Sequence, residues 1–95
     1  MDSSQRACLR KAANGMKTTF HVGKESVNGQ LIEGISQALT ARELVKVAVL
    51  PAAGLTAREA ADALAGSLEA QVVQVIGSRF ILYRQNPDVK KYGIK

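Results

Sequence analysis

The sequence predicts one compact α/β domain of two layers, with its elements in the order α-β-α-β-α-β-β. Three observations lead there. Segments of helical and strand period alternate along the chain, the pattern of a layered α/β fold. Hydrophobic residues make up 46% of the chain and charged residues 22%, a globular balance rather than a disordered one. At 95 residues, one core that buries roughly 60–65% of the unfolded surface needs no disulfide or metal staple.

The first helix is expected over about Ser4 to Ala13. Cys8, Leu9, Ala12, Ala13 and Met16 recur at helical spacing on its apolar side, and Arg6, Arg10 and Lys11 fall on the wet side. Asn14-Gly15 offers a left-handed residue to end it. Thr18 to Val22, β-branched and aromatic, reads as a short strand. Gly23-Lys24-Glu25-Ser26 breaks that strand, and Asn28 is the expected N-cap of a second helix with the stripe Leu31, Ile32, Ile35, Ala38 and Leu39. Leu44 to Leu50 is almost continuously apolar, as an interior strand would be, and Pro51 ends it.

Thr56-Ala57-Arg58-Glu59 has the form of a capping box. The helix it opens turns Ala57, Ala60, Ala61, Leu64 and Leu68 inward, small residues that allow close approach to a sheet. Val72–Ile76 and Arg79–Tyr83 are expected to form a hairpin around Gly77-Ser78. Val75 then faces Phe80 and Val73 faces Leu82, leaving Gln74, Ile76, Arg79 and Ile81 on a partly buried face. The domain is read as residues 1–85, and the Lys-rich stretch 86–95 as a mobile basic tail.

Thirteen Lys and Arg against eight Asp and Glu give a net charge of +5, which favours a polyanionic partner. The single cysteine, Cys8, excludes an internal disulfide and a paired-thiol metal or redox site. The start of the chain has no basic, apolar leader pattern, and no run approaches the ~18 apolar residues of a membrane span. The expectation is a cytoplasmic monomer that stays off membranes.

Catalysis is poorly provided for. His21 is the only histidine and lies within a strand, and no nucleophile, acid–base pair or ligand cluster assembles around it. The acidic residues stand singly, so neither a metal nor another cofactor is expected. The Gly23-Lys24-Glu25-Ser26 loop lacks the spacing of a phosphate-binding P-loop. It still places a glycine, a lysine and free amides between a strand and a helix start, where a phosphate can be held. With few aromatics, an RNA contact would rest on phosphates, 2′-hydroxyls and shape, through Arg6, Arg10, Lys11, Lys17, Lys24, Lys46, Arg79 and Arg84.

Several segments, taken in order, resemble one family. Ser4-Gln5-Arg6-Ala7 through Leu9-Arg10, then Val22-Gly23-Lys24-Glu25, is similar to the opening of the bacterial YhbY-like proteins. Arg42-Glu43-Leu44-Val45-Lys46-Val47 resembles a second family segment. Val73-Gln74-Val75-Ile76-Gly77, with Leu82-Tyr83-Arg84, resembles a third. The family is the CRM domain, named for chloroplast RNA splicing and ribosome maturation. The resemblance implies a four-stranded mixed sheet with three helices, similar to the carboxy-terminal domain of translation initiation factor three and to KH domains. It further implies an RNA-binding factor for assembly of the large ribosomal subunit, with rRNA in subunit precursors as its partner. The family's loop usually reads Gly-x-x-Gly, and here Ser26 stands in place of the second glycine. The expected RNA contacts are therefore Gly23, Lys24, Glu25 and Ser26, the helix residues Arg6, Arg10 and Lys11, and Lys17 and Arg84. The alternative is a protein-interaction module on ribosomal particles without direct RNA recognition.

Overall fold

The computed structural model describes residues 3–86. Its elements are α1 (Ser3–Asn14), β1 (Phe20–Val22), α2 (Gly29–Arg42), β2 (Leu44–Val49), α3 (Ala57–Leu68), β3 (Gln71–Ile76) and β4 (Arg79–Tyr83), with a short 3-10 turn at Pro51–Ala53 after β2. Every expected helix and strand is present, in the expected order. The strands form one mixed sheet in the order β1-β2-β4-β3. β1 runs parallel to β2, as its helical crossover through α2 requires, and the other pairs are antiparallel. Apolar β2 is interior, between β1 and β4.

The expectation of two layers is corrected. Alternate residues of the strands feed two separate cores. Val45, Val47, Val49, Phe80 and Leu82 pack with Ile35 and Leu39 of α2 and with Ala60, Ala61, Leu64 and Leu68 of α3. On the other face Leu44, Val73, Ile81 and Tyr83 pack with Leu9 and Ala13 of α1. The sheet is thus the middle of three layers, and α1 lies alone on its side. One helix touching one surface buries only a narrow stripe. That is why Cys8, expected to pack, is exposed.

The hairpin turns at Gly77 (φ 57°) as expected, and Val75 pairs with Phe80. A bulge between Val72 and Gln74 changes the rest: Val72, not Val73, faces Leu82. The extra residue, Val73, joins the core under α1.

The helix starts follow the sequence closely. Asn28 Oδ1 accepts the Leu31 amide at 2.9 Å to cap α2. Thr56 and Glu59 bond reciprocally at 3.1 and 3.0 Å to open α3, which holds the Glu59 carboxyl below its ordinary value. The helix ends do not follow. Neither Asn14 nor Gly15 takes a positive φ, whereas the left-handed caps of α2 and α3 are Glu43 (φ 67°) and Glu69 (φ 54°). Glu43 is fully buried and its carboxylate accepts the Asn86 amide at 2.6 Å. Asn86 is the only described residue of the expected tail; 87–95 lie outside the described residues.

Candidate nucleic-acid interface

Gly23–Ser26 forms a tight turn between β1 and α2, closed by the Ser26 amide donating to the Gly23 carbonyl at 2.8 Å. Ser26 sits at φ 57°, the left-handed region that glycine enters most easily. The residue therefore adopts a backbone shape suited to the glycine whose place it takes. Among the described residues, the amides of Lys24 and Glu25 donate to no backbone carbonyl, and the Lys24 side chain is exposed at the tip. Two amides without a backbone acceptor and an ammonium suit a phosphate; the exposed Glu25 carboxylate limits the charge of the tip.

The loop is one wall of a cleft of about 430 Å³ between the β1 edge and α2, floored by Phe20, Leu31 and Gly34. Exposed His21 is on its rim, a surface position on an edge strand. A second hollow of about 380 Å³ shares Phe20 and Gly34 and continues past Thr19 and Met16 to Arg42. The two form one trough along α2. Gly34 makes it possible, because a Cβ there would lie 3.3 Å from the Phe20 ring. Lys24 stands at one end. At the other are Arg42, exposed in the last turn of α2, and Lys17, which directly follows Met16. Arg42 was absent from the sequence-derived set; the only signal was its place in the family-like segment.

The remaining expected contacts lie elsewhere. Arg6, Arg10 and Lys11 are exposed on α1, on the opposite face of the sheet, and none lines the trough. Arg84 is committed to structure. Its guanidinium donates to the Ser36 carbonyl at 2.7 Å, the Leu68 carbonyl at 3.1 Å and the Thr40 hydroxyl at 2.9 Å, tying β4 to the flanks of α2 and α3. That flank of α2 is turned away from the trough, beside a hollow that also holds Glu33 and Glu69.

Charge is sorted between the two sides of the sheet. Arg6, Arg10 and Lys11 on α1 and Lys46 and Arg79 on the α1 face of the strands share that side with no exposed carboxylate among the described residues. All six described carboxylates belong to the loop, to α2, to α3 or to the residues that cap those helices: Glu25, Glu33, Glu43, Glu59, Asp62 and Glu69. The one described ion pair, Arg58 with Asp62 at 3.3 Å, is on α3. Among the described residues, no group of three or more His, Cys, Asp or Glu is placed to hold a metal.

Comparisons with known proteins bear on the family and the fold. The chain is 36% identical over 91 residues to the probable RNA-binding protein YqeI of Bacillus subtilis, covering 96% of this chain and 95% of that one. It is 33% identical over 97 aligned positions to the probable RNA-binding protein MJ0652 of Methanocaldococcus jannaschii, covering 100% and 72%. These relatives bear RNA-binding names, not enzyme names, in line with the expected lack of catalysis. The solution structure of the hypothetical protein SAV1595 from Staphylococcus aureus superposes with a TM-score of 0.72 at 31% identity, over 90% of each chain. Residues 1–84 match the CRS1 / YhbY (CRM) domain. With this match over nearly the whole chain and the 36% identity to YqeI, the chain belongs to the CRS1/YhbY (CRM) domain family.

Proposed function

We propose that this protein binds RNA and acts, as a cytoplasmic monomer, in assembly of the large ribosomal subunit, holding rRNA backbone in subunit precursors. The observation that carries the reading is the sorting of charge: five cations, Arg6, Arg10, Lys11, Lys46 and Arg79, on the α1 side with no exposed carboxylate among the described residues there. A phosphate backbone lying against such a surface releases counterions, the main source of sequence-independent affinity. The turn at Gly23–Ser26 adds a second contact, where the free amides and Lys24 suit a phosphate. The names of the relatives support RNA as the partner. The large subunit is the expectation that the family resemblance supplies.

The test is sucrose-gradient sedimentation of cell extract at low and high salt, following the protein and the rRNA, with a nuclease-treated control. Salt-sensitive migration with large-subunit precursors, lost on nuclease treatment, is the expected result. Lys24→Ala is expected to weaken that association without changing which particle is bound, because a phosphate contact carries no sequence information. Co-migration that survives nuclease would instead favour a protein-interaction module. A protein that stays at the top of the gradient in low salt is not a stable ribosomal factor.

A further inference from the structure

The α1 face of the sheet is only half covered. α1 packs over Leu44, Val73 and Tyr83 and ends at Asn14. Beyond it the ladder sets Lys46, Ile81 and Gln74 in one row and Ala48, Arg79 and Ile76 in the next. Between Asn14 and these rows lies a hollow of about 190 Å³. We propose that this hollow holds a single unpaired nucleotide of the bound RNA. The inference rests on the RNA-binding reading above and adds a site to it.

Each wall offers what a nucleotide presents. Ile81 is buried as the floor, and Ile76, 61% exposed, stands at the rim; together they are an apolar surface for the face of a base. Asn14 and Gln74 carry side-chain amides that make no hydrogen bond among the described residues. Each can donate and accept at once, as the edge of a base requires. Gln74 pairs with Ile81 and shares its face, and the bulged Val73 packs beside it under α1.

Lys46 and Arg79 are diagonal neighbours across β2 and β4, so their Cβ atoms stand within roughly 7–8 Å of each other. Neither has an ion-pair partner among the described residues. Lys46 Nζ reaches only the Met16 carbonyl, at 3.5 Å, and its charge remains available to a phosphate. The Arg79 guanidinium can also stack on a base, which offsets the scarcity of aromatic side chains.

Size and charge select the occupant. The hollow is smaller than the roughly 300–1,000 Å³ of drug-sized ligand sites, so it has room for one ring system. A paired base cannot enter, since its edge is taken by its partner and its faces by its neighbours in the stack. The absence of exposed carboxylates from this face among the described residues favours a phosphate-bearing ligand over an apolar side chain of another protein.

The test compares two fluorescein-labelled RNAs by anisotropy: a short hairpin with a fully paired stem, and the same stem with a one-nucleotide bulge. The protein should bind the bulged RNA about tenfold more tightly, the size of a single base contact. Gln74→Ala and Arg79→Ala should each shrink that ratio towards one. Asn14→Ala, at an exposed helix end, should do the same without disturbing the sheet. Lys24→Ala should weaken both RNAs alike and leave the ratio intact, and Arg58→Ala should change neither. Equal binding of the two RNAs, or a preference that survives all three pocket variants, overturns the inference and leaves the RNA-binding reading standing. If the parent binds neither RNA, the RNA-binding reading itself fails, and this site with it.

Discussion

The guanidinium of Arg84 donates to carbonyls and hydroxyls that arrive from 16 to 48 residues away in sequence. At the residue scale this decides between two roles. Hydrogen bonds from a charged group contribute about 1.5–3 kcal/mol each when their acceptors are left bare on removal, and several of these acceptors are partly buried. Arg84→Ala is therefore expected to destabilise the fold by about 2 kcal/mol. Urea denaturation checks it, and RNA affinity measured well below the unfolding midpoint should stay near that of the parent. From the sequence alone, Arg84 was one cation among many on a basic chain, because the acceptors that claim it come from α2 and α3. Lys24 was legible, since a lysine in a tight turn has little but solvent to meet. Glu43 and Glu69 were not. Glycine or asparagine announces a left-handed cap, and here the tertiary structure imposes that shape on two glutamates.

Elements were the most readable level. The five inward residues expected for α3 are the five that are buried, and α2 begins at the expected cap, because amphipathic period and capping are local properties. The capping box gives a test at this scale. Thr56→Ala removes the acceptor for the Glu59 amide and is expected to lower stability by about 1 kcal/mol. Glu59 adds a pH signature. Its carboxylate accepts first the Thr56 amide and then the hydroxyl, so the folded pKa lies below the ordinary 4.5. A lowered folded value means stability that is present above pH 4.5 and lost as pH falls through the folded pKa. The stability of Glu59→Gln should therefore fall less steeply than the parent's below pH 4.5, measured by thermal melts across pH. Where local rules failed, the cause was non-local. Strand alternation placed Val73 opposite Leu82, and the bulge moved it to the other face because α1 offers a core there. A bulge of this kind leaves no mark on the alternation of residue types.

At the scale of the whole molecule, the arrangement of layers turns composition into a surface. A net charge of +5 says nothing about where the charge lies. Placing α1 on one face of the sheet and α2 and α3 on the other collects five cations on one side, while the exposed carboxylates among the described residues stay with the loop, α2, α3 and their caps. Sequence reasoning found most of these cations but put them in one set with the Gly23–Ser26 loop, when the fold separates the trough from the α1 side. Which face a helix covers depends on handedness and crossover, and these are not written in its periodicity. The trough itself was half legible: its loop was visible in the sequence, whereas Phe20, Gly34 and Arg42 meet only once β1 lies beside α2.

The phosphate backbone is the proposed point of contact between RNA and this protein. The most direct measurement is the affinity of the purified chain for a short structured RNA over a series of salt concentrations. A straight line of log affinity against log salt is expected, with a slope of about −0.7 to −0.9 for each phosphate neutralised. Arg10→Ala or Lys24→Ala should each flatten it by about one. An affinity that does not change with salt, or a slope that neither variant alters, would contradict a backbone contact.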